Sequence, residues 1–252
     1  MTISGILPRR WRSTPERARH AEAIEAVLQT APLEQAQGGP TIISLLGAAD
    51  VLEHLVAIKS LHRHLGRGRM AVVDDGTLTG EDRAILAHHC GDPEIIHHQA
   101  VRRGPFPPEP AWALLLTILD RRGGDYWIAL DPHTVTLGPV YEVAGAIASN
   151  RSFVGRDCGG IAGFAAGGPG RTNLAPMLAD RSGEKAMAAD EAMDRVLAEE
   201  IHPFILPREV YAAWRGEAVS DDPALVHFPP RHRFAGDEYM RASAAAIDDL
   251  AY

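Results

Sequence analysis

The 252-residue chain predicts an α/β fold: a mostly parallel sheet flanked by helices, in a single domain with an N-terminal helical extension. Three observations predict it. From residue 41 to 150, short β-branched apolar runs alternate with longer runs of helical period, the pattern of successive βα units. The short runs, such as Thr41-Ile42-Ile43-Ser44-Leu45-Leu46, are apolar almost throughout, as strands covered on both faces are. Glycine and proline cluster between runs, as at 66–68, 104–108 and 123–124.

The extension and its linker occupy residues 1–39, and the main domain 40–252. Thr14-Pro15-Glu16 is a helix start, with threonine at the cap, proline in the first turn and an acid behind it, and the helix is expected to reach about Thr30. The first parallel strand is 41–46, and Gly47-Ala48-Ala49-Asp50 leads into a helix ending near Leu65 at Gly66. Met70–Val73 is the second strand. Thr79-Gly80-Glu81-Asp82 then opens a helix to about His89 in the manner of a capping box. Glu94–Ile96 reads as a short strand, Ala111–Leu119 as a helix, Tyr126–Leu130 as the central strand and Val135–Leu137 as another apolar run. Val140–Ala148 is helical. Short strands follow at 152–154 and 161–164 around Cys158-Gly159-Gly160, then a helix over 184–199, a strand near 201–206 and a final short helix after residue 235.

A net charge of −8 excludes a general nucleic-acid binder, which needs a basic face. Two cysteines without close spacing, Cys90 and Cys158, suit a reducing, cytoplasmic setting. No apolar run has signal-peptide form or bilayer length, so no integral membrane contact is expected. The pairs His88-His89 and His97-His98 read as surface or partly packed histidines, because adjacent residues point to different faces and no cysteine is spaced to join them. The phosphate-loop and dinucleotide fingerprints are absent.

The stretch at 125–139 is where chemistry concentrates. An apolar strand ends at Asp131-Pro132-His133, and Gly138-Pro139 closes the next run. In extended backbone, residues two apart point the same way, so Asp131 and His133 can face one ion, and Pro132 restrains the turn between them. Leu130, Asp131, Gly138 and Pro139 resemble the Leu-Asp-x-Asp segment of GT-A glycosyltransferases, especially the glycogenin/galactosyltransferase-like group. His133 stands where that group has its second aspartate. Val72-Val73-Asp74-Asp75-Gly76 is similar to the group's nucleotide-side loop, and Leu225–Phe234 to its late histidine followed by basic residues.

The resemblance implies a Rossmann-like GT-A catalytic domain over 40–252. It also implies transfer of a sugar from a nucleotide-diphospho-sugar donor, UDP-linked donors among the candidates, to a hydroxyl acceptor that the sequence leaves unknown. A divalent metal on the diphosphate is expected, with Asp131, His133 and His227 as its ligands. Two imidazoles favour Mn²⁺ over Mg²⁺. Leu46 and Gly47 are nucleotide contacts by their place at a strand's carboxyl end. Asp75 is chosen over Asp74 for the base or ribose, and Arg231 and Arg233 stand in for the usual lysine on the diphosphate. Asp190-Glu191 occupies the family's acidic position near the sugar, to orient it or to take the acceptor's proton. The alternative is a degenerate GT-A domain that binds nucleotide or a partner without turnover, motivated by His133 and by Pro229-Pro230 after His227. A sugar nucleotidylyltransferase ranks last, because 47–50 carries no basic glycine-rich loop.

Overall fold

The computed structural model describes residues 11, 14–35, 38–155, 160–173, 188–198, 203–217 and 222–251. Expectations for Cys158, Gly159, residues 184–187, residue 199 and residues 201–202 lie outside these residues. Side chains of successive strand residues leave on opposite faces, and three neighbouring strands show it. In β1 (Thr41–Leu46), Ile42 and Leu46 enter one buried cluster while Ile43 enters the other. In β2 (Arg69–Asp74), Met70 and Val72 are opposed to Ala71 and Val73. In β4 (Trp127–Leu130), Ile128 and Leu130 are opposed to Trp127 and Ala129. A sheet apolar on both faces needs helices on both, and it has them.

On the first face lie α1 (Pro15–Ile24), α2 (Val51–Leu65), α3 (Gly80–His89), α5 (Tyr141–Ala148) and α7 (Glu238–Leu250), whose buried residues share one cluster. On the second lie α4 (Pro110–Arg121) and α6 (Ala189–Ala198). The main sheet also contains β3 (Glu94–His97), β6 (Phe153–Val154), β7 (Ile161–Phe164) and β8 (Phe204–Ile205), in the order β3-β2-β1-β4-β7-β6-β8. Pairs β3–β2, β2–β1, β1–β4 and β6–β8 are parallel; β7 runs antiparallel to β4 and β6. A second sheet joins β5 (Thr134–Thr136), β10 (Leu225–His227) and β9 (Tyr211–Ala213) in the order β5-β10-β9. It is pinned to α2 where the Thr136 amide donates to Ser60 Oγ at 3.1 Å.

The helix expected to reach Thr30 is α-helical only to Ile24. Residues Glu25–Gln29 tighten to a 3₁₀ turn, with the amide and hydroxyl of Thr30 both donating to the Val27 carbonyl. Thr79 and Asp82 form the reciprocal capping box that the sequence predicts. Gly66 ends α2 at φ +72°, left-handed backbone that a residue with a Cβ enters at a cost. No helix among the described residues is long and apolar enough to cross a membrane.

Candidate functional site

β1, β2 and β3 build the sheet in one direction and β4 starts from the other side of β1, so the chain order reverses between β1 and β4. Ligands of open α/β sheets sit at such a point, beyond the carboxyl ends of the strands. A cavity of about 530 Å³ lies there. Its lining includes Leu45, Gly47, Asp75, Asp131, His133, Asp190 and Arg233.

Two loops floor one end of the cavity. The Thr77 hydroxyl donates to Asp75 Oδ1 at 2.6 Å and accepts from the Ala48 amide at 2.8 Å, tying the β1 loop to the β2 loop. A Cβ on Gly47 would stand 2.6 Å from Asp75 Oδ2, so a larger residue there would displace that carboxylate. Asp74 turns the other way. It is buried, its Oδ1 accepts from the amides of Gly76 and Leu78, and it pairs with Arg83. Leu46 is fully buried in the core, whereas its neighbour Leu45 lines the cavity, as alternation along β1 requires.

The turn after β4 carries the charged centre. The Asp131 amide donates to the Gly160 carbonyl at 2.8 Å, and Asp131 Oδ1 accepts from the His133 amide at 2.8 Å. Antiparallel pairing of β5 with β10 sets His227 opposite Thr134. That register brings His227 Nε2 to 3.7 Å from Asp131 Oδ1, although 96 positions separate the two in sequence. His133 Nδ1 lies 3.0 Å from the same oxygen, and His133 Nε2 lies 3.1 Å from Asp50 Oδ1. Asp131 keeps 36 % of its side chain exposed, against 7 % for His133 and 10 % for His227. The carboxylate is therefore the most open of the three groups, with His133 beside it on the cavity wall and His227 behind.

Charge states follow from this packing. Burial alone would raise the Asp131 carboxyl, but the hydrogen bond and charge of His133, with His227 behind, hold it below the usual carboxylate range. Burial likewise works to raise Asp50, yet His133 and Arg17 bring it down to about 2. For His133 burial disfavours the cation, and the two carboxylates overcome that and raise its pKa.

Some of this centre is not legible as a site in the sequence. Arg17 of α1 donates to Asp50 Oδ1 at 2.5 Å, Glu53 Oε1 at 3.1 Å and the Ala49 carbonyl at 2.7 Å. Trp11 Nε1 donates to the Ala48 carbonyl at 2.9 Å. The N-terminal segment thus grips the loop between β1 and α2. Asp50, Glu53 and His133 also offer ligand atoms within 4.8 Å of one another, an Asp/Glu/His set able to take an ion, with Arg17 bonded to both acids. Asp194 lines the cavity one helical turn after Asp190, a spacing that signals one face.

The remaining expected residues divide. Arg233 lines the cavity and donates through Nε to the Phe228 carbonyl at 3.1 Å, whereas Arg231 is exposed outside the lining. Asp190 lines the cavity; Glu191 is exposed and pairs with Arg195 at 2.8 Å. His227 sits behind Asp131, outside the lining. His89, the last residue of α3, is buried, and burial first, with Lys59 and His88, lowers its pKa to about 4.

No protein-family profile and no curated protein matches the sequence. Solved structures do match the fold. The apo form of the glycosyltransferase GlyE of Streptococcus pneumoniae TIGR4 superposes with a TM-score of 0.60 at 12 % identity, over 84 % of this chain. This chain spans 63 % of that structure's length. The galactosyltransferase LgtC, solved with donor and acceptor sugar analogues, gives 0.56 at 12 % identity over 81 % of this chain and 95 % of its own. Mouse xyloside xylosyltransferase 1 gives 0.51 at 9 % identity over 77 % and 99 %. The fold is that of the GT-A glycosyltransferases.

Proposed function

We propose that the protein transfers a sugar from a nucleotide-diphospho-sugar, a UDP-sugar in the simplest case, to a hydroxyl acceptor within the cavity at the β1–β4 switch point. The observation that carries this reading is the meeting of Asp131, His133 and His227 at one carboxylate oxygen on the wall of that cavity. A carboxylate and two imidazoles with nitrogens 3.0 and 3.7 Å from Oδ1 suit a divalent cation, Mn²⁺ before Mg²⁺. The chemistry such an ion supplies there is neutralisation of the diphosphate as it leaves.

The chain's own groups do the rest. Asp75, propped over Gly47, would accept from ribose or base, with Gly47 allowing close backbone approach and Leu46 holding the strand end from below. Arg233 would add a fixed positive charge toward the phosphates, and exposed Arg231 only a solvent-screened one. Asp190 at the cavity would orient the transferred sugar or receive the acceptor's proton, with Glu191 flanking it.

The test is a panel of sugar nucleotides with Mn²⁺ or with EDTA, reading release of nucleoside diphosphate. Ion-dependent release from at least one donor, lost in Asp131→Ala, is the expected result. Tight UDP binding with no release from any donor would replace the transferase reading with a binding domain.

A further inference from the structure

Every metal-bound histidine has a second ring nitrogen, and what that nitrogen bonds decides which lone pair the metal receives. In the charged centre, His133 Nε2 is committed to Asp50 Oδ1 at 3.1 Å while Nδ1 stands 3.0 Å from Asp131 Oδ1. Two donor atoms 3.0 Å apart can share one cation. Asp50 is not loose. It follows β1, precedes the first turn of α2 as its cap residue, and makes no capping bond with its side chain. Instead Arg17 holds Asp50 Oδ1 at 2.5 Å, and also binds Glu53 and the Ala49 carbonyl. One carboxylate oxygen, Asp50 Oδ1, thus meets both the Arg17 guanidinium of α1 and the His133 imidazole, and the arginine fixes it in place.

We propose that Asp50, braced by Arg17, is a positioning residue: it takes the Nε2–H of His133 and thereby presents the Nδ1 lone pair, beside Asp131, to a divalent cation. The inference rests on the metal-site reading above and adds two residues to it, one of them from the N-terminal segment. It also gives a reason for histidine at position 133. An imidazole reaches Asp131 with one nitrogen and Asp50 with the other, and so links the loop after β1 to the turn after β4.

The experiment is titration of Mn²⁺ alone into the full chain, followed by the free-ion electron paramagnetic resonance signal. Wild type, Asp50→Ala, Asp50→Asn and the surface control Arg19→Gln are compared. Loss of an outer carboxylate partner typically weakens a metal site by about 10–100-fold, and Asp50→Ala is expected to fall in that range. Asp50→Asn keeps an acceptor for Nε2–H and should recover part of the loss. Arg19, paired with Asp237 at the surface, should leave affinity unchanged on replacement. The second readout is the ¹⁵N shift of the His133 ring with diamagnetic Zn²⁺ bound. Wild type should show a protonated Nε2 and a metal-bound Nδ1, and Asp50→Ala should lose that single pattern. If Asp50→Ala does not fold, Asp50→Asn alone decides: it must bind Mn²⁺ more weakly than wild type and shift the ring nitrogens. Wild-type affinity in the Asp50 variants with an unmoved ring spectrum overturns this inference and leaves the metal site standing. Absence of Mn²⁺ binding by wild type overturns both.

Discussion

At the scale of single residues, the charged centre sits among buried histidines that stay neutral, and these set the acid behaviour of the fold. Burial lowers His54 from 6.5 to about 4, with His133 adding to it and Asp50 opposing. Burial, then His133, Arg17 and Arg233, lowers His20 to about 3. Below pH 6.5 the unfolded chain takes up protons that the folded chain refuses, so stability falls with pH in this window. Each such histidine contributes a slope of up to about 1.4 kcal/mol per pH unit between its unfolded and folded values. Asp50 acts lower down: its contribution is complete above the usual 3.8 and is lost as pH falls toward about 2. Urea unfolding at pH 7, 5.5 and 4.5 should show the decline, and His54→Leu should flatten it; equal slopes in both proteins would refute the assignment. Asp131 and His133 are legible in the sequence because an acid and an imidazole close a strand, and His227 only through the family resemblance. Arg17 and Glu53 are not. Each sits in a helix where an exposed charge is the usual expectation, and only the packing of α1 on α2 turns them toward Asp50.

Among the elements, the join between β7 and the small sheet controls the centre. The Gly160 carbonyl accepts from the Asp131 amide at 2.8 Å and from the Thr134 hydroxyl at 3.2 Å. A Cβ at Gly160 would stand 2.6 Å from His227 Cβ and 2.7 Å from Thr134 Oγ1. Gly160→Ala should therefore push β10 from β5 and separate His227 from Asp131. The expected outcome is a destabilisation of about 1–3 kcal/mol, as for other overpacked sites, with Mn²⁺ affinity falling alongside it. Unchanged affinity would mean that His227 takes no part. At the far end of the fold, Thr79→Ala removes half of the α3 capping box and should cost about 1 kcal/mol in thermal unfolding without touching ion binding. The capping box, the Gly66 stop and the parallel strands are readable in sequence because local chemistry dictates them. The β5–β10–β9 sheet is not, since its strands are three residues each and their pairing is set by distant segments.

For the molecule as a whole, two loops from neighbouring strands and the segment that follows β10 close on one cavity. Strand alternation sends Leu45 to it and Leu46 to the core. Order reversal between β1 and β4 opens it, and the α1 arginine secures its rear wall. This geometry belongs to the chain's topology: stretches at 72–76, 125–139 and 225–234, far apart in sequence, are brought together by folding. In the function we propose, Asp131 and its two imidazoles hold a cation against a nucleotide's diphosphate. Calorimetric titration of UDP into wild type and Asp131→Ala, each with Mn²⁺ and with EDTA, tests it most directly. The expected result is binding strengthened at least tenfold by Mn²⁺ in wild type, with no such gain in the variant. Equal UDP affinity with and without Mn²⁺ in wild type, or the same gain in Asp131→Ala, would contradict it.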